Sequence, residues 1–249
     1  MALFSQEIKT GGRFTCAMPS DRVYVLVFES RPANYLTPDF VEAFCSSLSR
    51  IQAFPRGVVI TASRIPEFYS NGISLHTSQG ALQGQEHIWL LLLQLLSTLN
   101  WSQKRKAMYP MPTITLISGQ AAGLGFILAL CHDFKVQKRR GSSLCIYEGQ
   151  SRTPLLSQWL LDFVKVKLPA SSITRSMLAG KSIGAQDSVR SGLVDEIGFF
   201  EDALRLIERR GLLNAGTEQE YCATKDLKNM RAITLLNARN KNATKPHRL

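Results

Sequence analysis

One segment constrains the fold of this chain more than any other, because a strand pattern, a bare turn and an apolar helix pattern follow one another over residues 112–130. Residues 113–117 are rich in β-branched side chains, which favour strands. Gly119, Gly123 and Gly125, with two alanines, leave the backbone almost bare before the apolar run. The first N–H groups of a helix lack partners within the helix, so such a turn can hold an anionic oxygen. Close packing of helix on strand favours the same small residues, and this segment alone leaves both interpretations open.

The hydrophobic pattern alternates between strands and helices along the chain. Apolar runs predict strands at residues 23–28, 58–62, 113–117, 134–136 and 144–146. Thr37 before Pro38 predicts the start of a helix, because threonine caps helices and proline fits the first helical position. We expect this helix to turn four side chains inward: Phe40, Val41, Phe44 and Leu48. Such alternation predicts a layered α/β domain.

Two further motifs accompany the turn at residues 118–125. Phe-Tyr-Ser-Asn-Gly-Ile-Ser-Leu at residues 68–75 follows the predicted strand at 58–62 after a short loop. The third motif covers residues 178–195 and reads Leu-Ala-Gly-Lys-Ser-Ile-Gly-Ala-Gln-Asp-Ser-Val-Arg-Ser-Gly-Leu-Val-Asp. In this order and spacing, the three motifs resemble those of the enoyl-CoA hydratase/isomerase (crotonase) family, and the likeness covers roughly residues 20–208.

The resemblance implies an α/β crotonase-like fold, with a ββα spiral core and a helical C-terminal trimerisation region. By position, the acyl-CoA-binding domain covers residues 1–208 and includes C-terminal helices from about residue 155. A basic, partly mobile tail is expected over residues 209–249. Members of the family assemble as trimers or pairs of trimers, so the resemblance also implies a homotrimer or hexamer.

In the family, two backbone N–H groups from the first two motifs form an oxyanion hole for the thioester oxygen. By position, these are the amides of Ile73, after Gly72, and of Leu124, after Gly123. Backbone donors tolerate a change of side chain, but leucine at 124 departs from the glycine that most members have. Ser70 corresponds to the stretch with which the family holds coenzyme A.

Chemistry beside a thioester carbonyl also needs a base near the acidic C2–H group. Family hydratases use two glutamates to hold a water, and the first of these positions is Ile127 here. Near the second position Glu148 remains, displaced by one residue. Family isomerases, which shift a double bond from C3 to C2, use a single glutamate. The resemblance therefore implies that Glu148 is the general acid/base of an enoyl-CoA delta-isomerase, with a surface glutamate as the structural alternative. Asp133 matches an acidic family position that is usually structural.

Two other functions stay open. An enoyl-CoA hydratase, or another acyl-CoA enzyme of a specialised pathway, would share the fold, although Ile127 argues against hydration. A non-catalytic CoA-binding protein of the same fold is favoured by Ile127, by Leu124 and by Ser74, which replaces the usual aspartate. The reaction implied by the resemblance needs no separate cofactor, since coenzyme A is part of the substrate.

The charge composition limits the choice of partners. The net charge is +11, with +3 over residues 1–130 and +8 over residues 131–249. A basic half suits an anionic partner, and the phosphates of coenzyme A meet this condition. The sequence has no zinc-ligand spacing and no aromatic–basic RNA motif, so we expect neither a metal nor nucleic acid. The longest apolar run, at residues 88–96, is far shorter than the ~20 residues of a membrane span.

Cysteine usage and the last residues bear on location. The five cysteines form no CxxC pair, which predicts free thiols in a reducing compartment. His247-Arg-Leu249 keeps the basic-then-leucine ending of a peroxisomal Ser-Lys-Leu signal but departs from it at the first residue. We expect a peroxisomal protein, or a cytoplasmic one if this ending is not read.

Overall fold

The structure is a computed structural model that describes residues 2–73, 110–146, 164, 166–168, 181–215, 220–225, 227, 229–231 and 234. Several predicted features lie outside the described residues: Ser74, the apolar run at 88–96, Glu148 and part of the helical region from about residue 155. The described part contains ten strands: β1 Ala2–Glu7, β2 Arg13–Ser20, β3 Val23–Glu29, β4 Val58–Ser63, β5 Phe68–Ser70, β6 Thr113–Ile117, β7 Gln120–Ala122, β8 Phe134–Gln137, β9 Ser143–Cys145 and β10 Glu196–Ile197. It contains five named helices: α1 Pro38–Ile51, α2 Leu124–Leu130, α3 Ala185–Arg190, α4 Phe200–Arg209 and α5 Leu212–Ala215.

The strands form two sheets. The large sheet has seven strands in the order β1-β2-β3-β4-β6-β8-β10, of which β1, β2 and β3 pair antiparallel and the others parallel. The small sheet has three parallel strands in the order β5-β7-β9. Each strand of the small sheet follows a strand of the large sheet along the chain, as β4 leads to β5, β6 to β7 and β8 to β9. This repeated pairing confirms the predicted α/β class.

Helices cover both faces of the large sheet, which is why its central strands β4 and β6 are mostly buried and rich in β-branched residues. Val58 and Ile60 of β4 pack in one cluster with α4, whereas Val59 packs in the other cluster with α1 and α2. All five residues of β6 are buried. Leu212 of α5 is buried on the α4 side, and residues 220–225 are also helical. The predicted domain boundary at residue 208 and the trimerisation role of the C-terminal region stay predictions.

Helix α1 begins as the sequence predicts. The Oγ1 atom of Thr37 accepts a hydrogen bond from the Phe40 amide at 3.2 Å, and Pro38 opens the helix. The four side chains expected to turn inward, Phe40, Val41, Phe44 and Leu48, are fully buried. The helix start and its buried face are therefore confirmed.

The sequence predicts one continuous turn between β6 and the apolar helix, but the structure has a short strand there. Residues 120–122 form strand β7, the central strand of the small sheet, which pairs with β5 on one side and β9 on the other. Small residues such as alanine have low strand propensity, so the local pattern does not reveal a strand whose cause is pairing with distant segments.

A buried ion pair joins the C-terminal residues to the core. The Oδ2 atom of Asp133 accepts hydrogen bonds from the backbone N–H and the hydroxyl of Thr113, both at 2.9 Å, and lies 2.6 Å from Nζ of Lys225. The exposed fractions of the Lys225 and Asp133 side chains are 2% and 9%. Burial raises the pKa of Asp133, but Lys225 and Thr113 outweigh this effect and hold that pKa below its usual value. The structural role expected for Asp133 is confirmed.

All five cysteines lie in the described part of the chain, and none forms a disulfide, as predicted. Among the described residues, no helix combines the length and the apolar character that crossing a membrane requires.

Replacing Lys225 by methionine is expected to lower the free energy of unfolding by ~3–5 kcal/mol, because Asp133 would then stay buried without its counter-ion. The matched control is Lys9→Met, which breaks the exposed pair with Glu42 and leaves stability nearly unchanged. Urea denaturation at pH 7 measures both variants. Equal losses of unfolding free energy in Lys225→Met and Lys9→Met would show that the buried pair stabilises the protein no more than a surface pair does.

Candidate active site

The small sheet gathers the predicted site segments at one edge. Ser70 of β5 is in register with Ala121 of β7, and Ala121 with Leu144 of β9. Since parallel strands end at the same side of a sheet and neighbours lie about 4.8 Å apart, the residues that follow them come close together. We call this side the carboxyl edge of the small sheet; it comprises residues 71–73, 123–124 and 146.

Two glycines allow the segments to approach this closely. A Cβ on Gly125 would lie 2.2 Å from the carbonyl oxygen of Ser70, and a Cβ on Gly119 would lie 2.4 Å from the carbonyl carbon of Glu67. No other residue type fits at such distances without displacing backbone. The small residues of the turn therefore serve close packing, one of the two interpretations left open by the sequence, and this packing builds the carboxyl edge.

The first predicted donor, the amide of Ile73, has its direction set by the preceding glycine. Gly72 has a φ of +71°, a conformation that favours glycine. Its carbonyl accepts a hydrogen bond from the Leu36 amide at 2.7 Å. In a trans peptide the N–H group points opposite to the carbonyl, so the Ile73 N–H points away from Leu36.

The second predicted donor, the amide of Leu124, is oriented in the same manner. Gly123 has a φ of +51°, and its amide donates to the carbonyl of Cys145 in β9 at 2.9 Å. Its carbonyl accepts from Ile127 in the first turn of α2 at 3.2 Å, so the Leu124 N–H points back from the start of that helix. Both predicted donors thus belong to peptides whose planes are fixed by hydrogen bonds.

Apolar residues of the carboxyl edge and of α2 belong to one core cluster. Leu124, Ile127 and Ile146 are buried in one cluster, and the partly buried Ile73 packs against it. Ile127 is 1% exposed, so the position where family hydratases have a glutamate carries a buried apolar side chain. Glu148 comes two residues after Ile146 and lies outside the described residues.

Ser70 is fully buried beneath the edge. Its hydroxyl donates to the carbonyl oxygen of Asn34 at 2.7 Å and accepts from the Gly72 amide at 3.3 Å. The hydroxyl therefore holds the loop that carries Ile73, and the predicted contact of Ser70 with coenzyme A stays a prediction.

A buried polar chain behind the small sheet was missed at the sequence level. His132 donates through Nδ1 to the Leu128 carbonyl at 2.9 Å and contacts Oγ1 of Thr61 through Nε2 at the same distance. Thr61 in turn lies 3.5 Å from the hydroxyl of Tyr69 in β5. Burial lowers the pKa of His132 to about 4, although the Leu128 carbonyl opposes the shift. A neutral histidine, donating at Nδ1 and accepting at Nε2, therefore links α2 to β4 and β5.

The described residues of the site do not gather metal ligands. Over the described ranges, no group of three or more His, Cys, Asp or Glu side chains is arranged to hold a metal ion. The His132 nitrogens are both engaged by Leu128 and Thr61.

Comparisons with known proteins agree with this geometry. A family model for enoyl-CoA hydratase/isomerase matches residues 20–208. The chain is 29% identical over 183 residues to enoyl-CoA delta isomerase 2, peroxisomal, of Arabidopsis thaliana, covering 71% of this chain and 74% of the relative. It is 26% identical over 183 residues to enoyl-CoA delta isomerase 1, peroxisomal, of the same plant, covering 70% and 71%. The structure of human mitochondrial delta3-delta2-enoyl-CoA isomerase superimposes with a TM-score of 0.72 at 20% identity, covering 90% of this chain and 87% of that one.

The repeated strand pairs and the three-stranded sheet with its close glycine contacts define a crotonase fold. The chain belongs to the enoyl-CoA hydratase/isomerase family, whose members act on acyl-CoA thioesters.

The neutral state of His132 makes stability depend on pH. Its pKa is about 4 when folded and 6.5 in the reference state, so unfolded chains bind the extra proton first as the pH falls. Stability from this group is complete above pH 6.5, and ~3 kcal/mol of it is lost between pH 6.5 and 4. His132→Asn, whose amide can still donate to Leu128, should be less stable at pH 7.5 but lose less on acidification. Urea denaturation from pH 7.5 to 4.5 measures the free energy of unfolding of both proteins. If that free energy falls equally with pH in the parent and in His132→Asn, the prediction is contradicted.

Gly125→Ala should destabilise the protein by ~1–3 kcal/mol, because the new methyl group would meet the Ser70 carbonyl and push α2 from β5. Gly184 offers the control, since it lies at the N-terminal end of helix α3, as Gly125 lies in the first turn of α2, but it has a φ of −78° and open space around a Cβ. Gly184→Ala should stay within about 1 kcal/mol of the parent. Thermal unfolding of the two variants compares them, and similar midpoints would refute the close approach.

Proposed function

We propose that this protein is an acyl-CoA isomerase that moves a C3–C4 double bond of an enoyl-CoA to C2–C3. The observation that carries the proposal is the carboxyl edge of the small sheet, where the loops with Ile73 and Leu124 and the segment that leads to Glu148 come from three adjacent parallel strands. These are the parts that an enolate mechanism needs: two donors for an oxygen and a base beside a carbon.

The proposed reaction begins with removal of a proton from C2 of the substrate. The charge moves onto the thioester oxygen as an enolate, and the amides of Ile73 and Leu124 donate hydrogen bonds to that oxygen. Fixed donors stabilise such a charge without reorganising, and one of them contributes ~2.7–4 kcal/mol to the barrier reduction. The hydrogen bonds to the Gly72 and Gly123 carbonyls support this role, since they hold both peptide planes.

Glu148 is the proposed general base and acid. In the sequence it follows Ile146, a residue of the carboxyl edge, by two positions. The carboxylate takes the proton from C2 and returns it at C4, which leaves the double bond between C2 and C3. One carboxylate is sufficient because no water is added.

Hydration is the second candidate because the family includes hydratases. It is disfavoured by the buried apolar side chain of Ile127, since a water-activating pair would need a second carboxylate there. A protein that binds acyl-CoA without turnover is the remaining alternative from the sequence. The absence of a separate cofactor, the homotrimer or hexamer, the peroxisomal location and a role in fatty acid β-oxidation stay proposals; two relatives carry the word peroxisomal in their names.

Glu148→Gln should lower kcat for the conversion of a 3-enoyl-CoA to the trans-2-enoyl-CoA by ~10²–10⁴-fold, because the amide cannot accept the proton. Absorbance of the conjugated product measures the rate. Glu67→Gln is the control, since Glu67 is an exposed carboxylate in the loop before β5.

Three results decide between the candidate functions. Full activity of Glu148→Gln would eliminate Glu148 as the base. Oxygen incorporation from labelled water into crotonyl-CoA, without isomerisation, would favour a hydratase. Acyl-CoA binding without exchange of the C2 proton in deuterated water would favour a non-catalytic protein.

A further inference from the structure

A single asparagine stands at the centre of the hydrogen bonds beneath the carboxyl edge. Asn34 is fully buried and has a φ of +51°, a conformation that asparagine tolerates better than most residues. Its Oδ1 atom accepts from the Ser30 amide at 2.7 Å, and its Nδ2 atom donates to Oγ of Ser63 at 2.7 Å. The first contact closes the loop after β3, and the second fixes that loop to the end of β4.

Residues 33–36 of the same loop form hydrogen bonds with β5 and with the two residues after it. Nδ2 of Asn34 also lies 3.4 Å from the Phe68 carbonyl and 3.1 Å from the Tyr69 carbonyl. The next three contacts are Ser70 Oγ to the Asn34 carbonyl at 2.7 Å, the Asn71 amide to the Ala33 carbonyl at 2.9 Å and the Leu36 amide to the Gly72 carbonyl at 2.7 Å. Every residue from 68 to 72 therefore has a partner in the segment 33–36.

The last of these contacts controls the peptide that precedes Ile73. Glycine permits many backbone conformations, so the Gly72–Ile73 peptide has no side chain at Gly72 to restrict its rotation. A flipped peptide would present a carbonyl oxygen where the N–H group stands. That oxygen would repel a developing enolate, whereas the N–H stabilises it.

We propose that Asn34 is a positioning residue for the acyl-CoA reaction: it holds the 33–36 segment so that Leu36 fixes the Gly72 carbonyl and the Ile73 amide points at the thioester oxygen. The proposal rests on the proposed function, because it takes the Ile73 amide as an oxyanion donor. Asn34 itself does not touch the substrate.

The decisive variant is Asn34→Asp, which keeps the shape of the side chain and its acceptor for Ser30. It replaces the Nδ2 donor by an oxygen that faces the Phe68 and Tyr69 carbonyls. Loss of a preorganised donor costs ~10²–10³-fold in kcat, and we expect kcat to fall ~10–100-fold because the peptide is loosened and not removed. KM should change little, since the lost interaction belongs to the transition state.

A spectroscopic readout separates positioning from general stability. The probe is para-dimethylaminocinnamoyl-CoA, whose absorption moves to longer wavelength when strong hydrogen bonds polarise its thioester carbonyl. The parent protein should shift the band, and Asn34→Asp should shift it less. Thr37→Ala is the matched control, because it removes the cap of α1 at a cost of ~1 kcal/mol and does not touch residues 68–72.

The outcomes are distinguishable. A full band shift and full kcat in folded Asn34→Asp would overturn the positioning role and leave the proposed function standing. No band shift and no turnover in the parent protein would overturn the proposed function itself. If Asn34→Asp does not fold, Asn34→Gly keeps the positive φ and removes the same donor, and its band shift then decides the matter by the same comparison. A reduced shift in either folded variant, with an unchanged shift in Thr37→Ala, supports the proposal.

Discussion

The close contact between the start of α2 and the end of β5 is the constraint on which the rest of the site depends. Without a side chain at Gly125, the helix lies directly on the Ser70 carbonyl, and the small sheet can close with β7 between β5 and β9. That arrangement brings the Gly72–Ile73 and Gly123–Leu124 peptides to the carboxyl edge of the small sheet. The proposed chemistry follows from this arrangement of the backbone, because backbone N–H donors do not require particular side chains at 73 and 124.

Buried polar groups hold this backbone in place from three sides. Asn34 binds β5 from the loop after β3, His132 joins α2 to Thr61, and Asp133 joins the strand β6 to Lys225. Polar groups in a low-dielectric interior are costly when unpaired, and strong when fully paired. Each of these groups is hydrogen-bonded, so each can fix one geometry. In this fold the apolar clusters supply the driving force, while these contacts define the orientation of the peptides.

Local patterns predicted much of the fold. The strands at 23–28, 58–62 and 113–117 and the start of α1 depend on nearby residues, and they are confirmed. Strand β7 was missed because its cause is pairing with β5 and β9. The Asp133 partner was also beyond sequence reasoning, since Lys225 lies far away in the chain and looks like one cation of a basic tail. Ile73 and Leu124 were named from motif positions, whereas Asn34 was not, because a loop asparagine gives no sign of what it will bind.

The sequence by itself determined the α/β class, the family and the chemical types available at the site, because propensity, capping and motif spacing act over short distances. Only the tertiary structure decided which peptides meet at the carboxyl edge, which carbonyl each of them uses as an anchor and which polar residues lie beneath them. Those outcomes depend on contacts between segments that are remote in the chain, and a one-dimensional pattern does not contain the direction of an N–H bond.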